Sequence, residues 1–286
     1  MNIKYSLTGF ADEIADDLTT QIESLQKLNI HYVEMRGVDG NNLIFHSTDK
    51  VKEIRSRLED AGIALSALGS PLGKIGIDEP FEKHFEAFKR AVEIAHMMKT
   101  KNIRMFSFYI PEGKNEVYRA QVFDRMGQFV DYATANDAVL LHENEKGIYG
   151  EKAKECRELM DAFAGEHFKA IFDFANFVQA GQDTLEAYEL LKDSIAYVHV
   201  KDAFAANGNV VPAGMGDGNV ASILRRLFES GYEGFLSLEP HLFNFSGFAG
   251  LEKGKDAIAE GETKVLSGFE AFSLAHESLL RLLEKM

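Results

Sequence analysis

VLLHENE (Val139–Glu145), AIFDFAN (Ala170–Asn176), YVHVKD (Tyr197–Asp202) and FLSLEPH (Phe235–His241) each carry a short apolar run into a side chain that can hold a metal. Those side chains are Glu143, Asp173, His199 and Glu239. One acid at the end of a strand is ordinarily a loop cap. Four in succession imply parallel strands whose C-terminal ends converge. Side chains alternate between the two faces of a strand. Val139, Leu141 and Glu143 therefore share one face, as do Ile171 with Asp173, Tyr197 with His199 and Lys201, and Phe235 with Ser237 and Glu239. Leu140, Phe172, Val198, Val200, Leu236 and Leu238 point the other way, where crossover helices would cover them.

The same alternation extends over the rest of the chain. Strands are expected at Ile3–Thr8, His31–Met35, Ile63–Leu68, Ile103–Phe108, Ala138–His142, Lys169–Asp173, Ala196–Val200 and Gly234–Leu238. Amphipathic helices are expected at Asp16–Leu28, Thr48–Ala61, Pro80–Met98, Val117–Ala135, Glu151–Phe163, Thr184–Leu191, Val220–Glu229 and Gly268–Leu283. Ile22, Leu25 and Leu28 show the three-residue step of a helix face. Strand–helix alternation implies a parallel sheet. Eight units in 286 residues suit an α/β fold, a single-domain (β/α)8 TIM barrel over 1–286, typically about 250 residues long. An open doubly wound sheet is the alternative. Gly62, Gly231 and Gly234 fall where a left-handed residue can end a helix. Pro71, Pro111, Pro212 and Pro240 shape loops after strands. The irregular stretch 241–263 is a possible lid or surface insertion.

Composition narrows the function. A net charge of −14 argues against nucleic-acid and anionic-membrane partners, which favour basic surfaces. No apolar run approaches the ~18 residues of a membrane span, and the first residues lack a signal peptide's charged and apolar regions. The only cysteine, Cys156, rules out an intramolecular disulfide. A cytoplasmic location is expected, with a small-molecule carbohydrate substrate and a possible homo-oligomer.

Three carboxylates and one imidazole make a hard, oxygen-rich site for one divalent metal ion. Mn²⁺ is favoured; Mg²⁺, Co²⁺ and Zn²⁺ are compatible. The segments HENEKGIYG, FDFANF, VHVKDA and SLEPH, with ligand spacings of 30, 26 and 40 residues, and VHVKDA followed by GMGDGN and GYEGFLSLE, resemble the xylose-isomerase-like barrel superfamily of sugar phosphate isomerases and epimerases. The resemblance implies a (β/α)8 barrel with Glu143, Asp173, His199 and Glu239 as metal ligands. It also implies Glu143 and Glu239 as the two catalytic acid/base groups. Metal polarisation of a carbonyl and its neighbouring hydroxyl acidifies the C–H between them, giving an enediolate. Epimerisation, aldose–ketose isomerisation and loss of a β-hydroxyl are all open from there. The sequence departs from several sugar epimerases of the group at Asn176, where they carry a histidine. An amide can bind a hydroxyl but does not titrate near neutral pH.

Lys201, Asn176, Glu145, His241 and Arg36 are candidate substrate-binding residues. Lys201 faces the interior and would bind an anionic group or pair with Asp202 or Glu239. Arg36 would grip a carboxylate or phosphate, or pair with Glu34. His142 is expected to be structural. Asp12 and Glu13 are expected in loop or capping roles, and Asp217 or Asn219 as the cap of the helix after GMGDGN. Phe106, Phe108, Phe174 and Phe177 could exclude water from the pocket. The expected activity is a metal-dependent isomerase or epimerase of a small sugar. An inosose-type dehydratase and a noncatalytic sugar-binding barrel are the alternatives. A three-metal DNA endonuclease is disfavoured, because His31, His46 and His84 do not end strands.

Overall fold

The computed structural model describes residues 4–242 and 266–286. Most of the possible lid, 241–263, lies outside the described residues. Eight parallel strands form a nearly closed (β/α)8 barrel: β1 (Ser6–Gly9), β2 (Tyr32–Met35), β3 (Ala64–Leu68), β4 (Asn102–Met105), β5 (Val139–Glu143), β6 (Phe168–Asp173), β7 (Ile195–Val200) and β8 (Phe235–Leu238). Hydrogen-bonded neighbours run β1–β8–β7–β6–β5–β4–β3–β2, and β1 packs beside β2 to bring the ring round.

The strands form where β-branched and aromatic residues cluster, as in FKAIFD and IAYVHV. Among the described residues, eight longer helices cover them: α1 (Leu18–Lys27), α2 (Thr48–Asp60), α3 (Glu82–Met97), α4 (Asn115–Ala135), α5 (Ala153–Phe163), α6 (Thr184–Leu191), α7 (Val220–Glu229) and α8 (Gly268–Leu283). Asp17, Ser47 and Asp183 accept a first-turn amide at the starts of α1, α2 and α6, and Ser267 with Glu270 closes a capping box on α8. Such caps satisfy amides that have no partner inside the helix. On α7, Val220, Ile223, Leu224, Leu227 and Phe228 are buried. Each large apolar side chain so covered contributes about 1.5–3 kcal/mol.

The alternation read from the sequence sorts the two cores correctly. Leu140, Phe172, Val198, Val200, Leu236 and Leu238 join the large core between strands and helices. Leu141, Ile171 and Tyr197 form a small plug with Ala67 inside the barrel. Other interior side chains are polar: Thr8, Glu34, Ser66, Arg104, His199 and Ser237 are all buried. A folded protein tolerates such a polar interior only where partners or a ligand satisfy it.

Several expectations need correction. The first strand runs Ser6–Gly9 rather than Ile3–Thr8, with residue 3 outside the described residues. Gly62 and Gly231 are left-handed, but Gly234 is not; a Cβ there would lie 2.5 Å from the Tyr232 ring, so close packing explains it. Neither Asp217 nor Asn219 caps α7 through its side chain. Asn219 occupies the cap position and donates to Thr184 Oγ1, while Asp217 accepts from the Ala205 amide. The organiser of GMGDGN is Asp202, whose carboxylate accepts from the amides of Gly214, Gly216 and Gly218 at 2.9–3.0 Å. The sequence reading also missed two short antiparallel ribbons, Gly37–Val38 with Asn41–Asn42 and Asp202–Ala203 with Val210–Val211, and the short helix Phe174–Gln179. Phe108, Phe174 and Phe177 belong to the core between strands and helices. Phe106 instead lies under the cations of Lys74 and Arg104.

Candidate metal centre

Glu143 and Asp173 end β5 and β6, His199 sits one residue from the end of β7, and Glu239 follows β8. Parallel pairing sets Asp173 opposite His199 and His199 opposite Ser237, so the register itself gathers these strand ends. One potential ligand atom from each of Glu143, Asp173, His199 and Glu239 lies within 4.8 Å of all the others, and all four residues are buried. His199 Nδ1 is 2.9 Å from Glu143 Oε1, 3.5 Å from Glu239 Oε2 and 4.0 Å from Asp173 Oδ2.

The donor set fits a divalent cation. Asp173 Oδ2 is buried and accepts no hydrogen bond, although Lys201 Nζ approaches to 3.3 Å. Asp173 Oδ1 is already used by the Asn176 amide at 2.7 Å. A buried carboxylate oxygen that accepts no hydrogen bond and faces an imidazole and two more carboxylates suits a ligand shell. Asn144 fixes the two strand ends together: its side chain accepts from the Asp173 amide and donates to the Asp173 carbonyl, each at 3.0 Å.

Protein cations interleave with these acids. Arg104 Nη1 is 3.1 Å from Glu143 Oε2 and 3.9 Å from Glu239 Oε1. Lys201 Nζ bridges Asp173 and Glu239 at 3.3 and 3.2 Å. Arg36 reaches Asp12 at 2.8 Å, Glu13 at 3.3 Å and Glu239 at 3.2 Å. Asp12 and Glu13 are therefore buried counter-charges, not caps. Glu34 goes to Ser237 and His199 instead of Arg36. Glu13, Glu239 and His241 also bring ligand atoms within 4.8 Å of one another, and Arg36 pairs with both of those carboxylates.

These contacts set the protonation of the cluster. Burial pushes the Glu143 carboxyl up, but His199 and Arg104 outweigh it and hold the group down at about 2. Burial dominates at Asp173 and raises it to about 7, with Glu239 and Glu143 adding to the rise and Lys201 opposing it. Glu239 is held well below the usual range against its burial by Lys201 and His241. Burial alone would lower His199, yet Glu143 and Glu34 raise it well above its ordinary value. His241 is likewise raised to about 9: burial and Lys201 lower it, but Glu13 and Glu239 prevail.

The other sequence candidates are placed as follows. Lys201 faces the interior as expected and pairs with Asp173 and Glu239, while Asp202 is occupied by the glycine loop. Asn176 Nδ2 donates to Glu143 Oε1 at 3.3 Å and to the Asn144 carbonyl at 2.9 Å, so its amide steadies a metal-facing carboxylate. Glu145 lies further out and pairs with Lys74 at 2.8 Å. His241, left-handed at φ 47°, donates its amide to Glu13 at 2.7 Å. His142 points away from the centre and hydrogen-bonds Ser107 at 2.9 Å, as expected of a structural histidine. The sequence reading missed Arg104. Its signal was a cation in the middle of an apolar strand, NIRMF, where charged residues are rarely buried without a partner.

A family model for the xylose isomerase-like TIM barrel matches residues 22–261, and the chain belongs to this family. A 3-dehydroshikimate dehydratase of Bacillus anthracis is 20% identical over 176 residues, covering 61% of this chain and 62% of that protein. The crystal structure of IolI with a bound zinc atom superposes at a TM-score of 0.74 with 17% identity, covering 98% of both chains. A D-tagatose 3-epimerase-like protein superposes at 0.72 with 17% identity, covering 98% of this chain and 99% of its own. At such identities the structural likeness shows the shared fold.

Proposed function

We propose that the chain is a divalent-metal-dependent isomerase or epimerase of a small sugar or sugar derivative. Glu143, Asp173, His199 and Glu239 hold the ion, with Mn²⁺ favoured. The observation that carries this reading is the convergence of four buried ligand atoms, one from each of four successive strand ends, within 4.8 Å. The bound ion would polarise the substrate's carbonyl and adjacent hydroxyl. Glu143 and Glu239 then serve as the proton-exchanging pair. Both are kept ionised by neighbouring cations, which leaves their lone pairs free of a proton while lowering their basicity. Arg104 and Asn176 orient Glu143, and Lys201, Arg36 and His241 orient Glu239. Lys201, Arg36, Asn176, Glu145 and His241 remain the candidates for receiving a substrate's hydroxyl or anionic groups, which would have to compete with their present protein partners. The metal-binding zinc neighbour and the epimerase-like neighbour support this class.

A dehydratase is the second reading, favoured by the dehydratase relative and by the density of buried cations, which suits a substrate carrying a carboxylate. The test is metal content of wild-type protein and the His199→Ala variant, followed by product mass on ketoses, inososes and cyclic hydroxy-keto acids. Near-stoichiometric metal lost in the variant, with conserved product mass, is the expected result. Loss of water identifies the dehydratase. Absence of His199-dependent metal after incubation with Mn²⁺, Co²⁺ or Zn²⁺ overturns both.

A further inference from the structure

Glu34 is fully buried in the middle of the barrel, beneath the four metal-facing groups. An isolated carboxylate in such a place is costly, and no residue of the proposed reaction pair uses it. Its oxygens face His199 Nε2 at 3.1 and 3.3 Å, and Ser237 donates to Oε2 at 2.7 Å. Tyr197 adds a side-chain hydrogen bond to the same carboxylate. The Tyr197 hydroxyl is also linked to Ser66 at 2.9 Å, and Ser66 to Thr8 at 2.7 Å. This chain of hydroxyls ties Glu34 to β1, β3, β7 and β8.

We propose that Glu34 is a positioning residue that holds His199 with its proton on Nε2 and the lone pair of Nδ1 toward Glu143, Asp173 and Glu239. The inference rests on the metal-site reading above. A neutral imidazole carries one N–H, and a carboxylate can only accept. Nδ1 also faces a carboxylate, Glu143 at 2.9 Å; a cation held among Glu143, Asp173 and Glu239 would take the place of the proton on that side, leaving Nε2–H donated to Glu34 and the Nδ1 lone pair as the ligand. The ring is also held in plane: Phe10 and Tyr197 meet it edge-on, at 81° and 80°, with centroids 5.3 and 5.8 Å away. Metal-binding histidines commonly use such a partner, and its loss typically costs about 10–100-fold in metal affinity. The competing explanation is a purely structural ion pair, in which Glu34 matters to folding and not to the ion.

Calorimetric titration with Mn²⁺ and Zn²⁺ of wild type, Glu34→Gln, Glu34→Met and His199→Ala separates these readings. Thermal melts of the metal-free proteins and ¹⁵N imidazole spectra of the Zn²⁺-loaded ones accompany it. The expected result is a His199-dependent site in wild type whose proton resides on Nε2. Glu34→Gln keeps an acceptor and lowers affinity about tenfold; Glu34→Met lowers it about 100-fold and scrambles the proton position. Unchanged affinity in Glu34→Gln, with only a lower melting temperature, overturns the positioning role and leaves the metal site standing. A proton on Nδ1 in the loaded wild type overturns it too. Failure of the metal-site reading itself is recognised separately, because wild type and His199→Ala would then titrate alike. The Gln variant preserves shape and keeps the test decisive should the Met variant not fold.

Discussion

Two of the proposed metal ligands should respond in opposite directions when their charge is removed. Asp173 is raised from 3.8 to about 7, chiefly by burial. Three pKa units correspond to about 4 kcal/mol. The sign follows from linkage: a carboxyl raised in the folded state binds its proton more tightly there than when unfolded. Stability is lost as pH rises from 3.8 toward 7, so near neutral pH almost the whole cost is present. Asp173→Asn removes it. The substitution keeps the Oδ1 acceptor for the Asn176 amide, and Lys201 retains Glu239 at 3.2 Å. Allowing about 1–3 kcal/mol for the altered polar contacts, the metal-free variant should gain about 1–3 kcal/mol. Glu239→Gln should lose about 3–5 kcal/mol, the usual cost of breaking a buried ion pair, because Arg36, Lys201 and His241 all lean on that carboxylate. Urea denaturation at pH 7 with chelator measures both. Saturating metal at 100 times its dissociation constant should stabilise wild type by about 2.7 kcal/mol and neither variant comparably. Destabilisation of metal-free Asp173→Asn by more than about 1 kcal/mol would refute the assignment of Asp173 as a group held charged at a cost; an unaffected Glu239→Gln would refute the reading of Glu239 as the hub of a buried ion-pair network.

Glu143→Gln should cut turnover at least 10²–10⁴-fold, roughly the usual contribution of a proton-transfer group, while circular dichroism remains that of the folded barrel; wild-type-like rates at saturating metal would reject the two-base assignment. His142, lowered by burial from 6.5 to about 4, must stay neutral in the fold. Its stabilising share is present above pH 6.5 and lost as pH falls toward 4, amounting to about 3 kcal/mol; a His142→Phe variant that shows the same stability difference between pH 6.5 and 4 as wild type would contradict this. Lys201→Met should tighten Mn²⁺ binding by about tenfold or more, since it removes a cation bridging two ligand carboxylates, at a coulombic scale of about 5 kcal/mol per contact for an effective dielectric of 20; weaker binding by calorimetry would show that Lys201 builds the site instead of competing for it.

What the sequence revealed about the site was periodic; what it concealed was pairwise. Glu143, Asp173, His199 and Glu239 were legible because each ends an apolar run on the inward parity, and parallel register converts that one-dimensional position into proximity. The eight strands and helices were legible for the same reason, with errors confined to ends and to elements too short to show a period, such as Asp202–Ala203 and Phe174–Gln179. Partner choice has no such signature. Arg36 was free by parity to meet Glu34, yet the loop after β1 brings Asp12 and Glu13 beneath its guanidinium, and Phe10 packs on its face with the ring centroid 4.4 Å away. Asp202 pairs with no neighbouring lysine because GMGDGN folds back and offers it three amides. Both outcomes depend on loop paths that hydrophobic spacing does not encode.

The interleaving of charges bears on how the proposed ion would enter. Each of the three candidate ligand carboxylates has a protein cation beside it: Arg104 at Glu143, Lys201 at Asp173, and Arg36, Lys201 and His241 at Glu239, although at Asp173 burial outweighs the pairing. A buried cluster of three bare carboxylates would otherwise carry a prohibitive desolvation cost. On the proposed reading, the fold would not depend on the ion, which would be taken up by exchange, with Arg104, Lys201 and the proton of His199 giving way. Metal uptake should accordingly release a proton and strengthen as pH rises. Cations displaced in this way would remain near the site, placed to meet negative charge on a substrate oxygen in the proposed proton transfer. One set of side chains would thereby stabilise the fold without the ion and serve the proposed reaction with it.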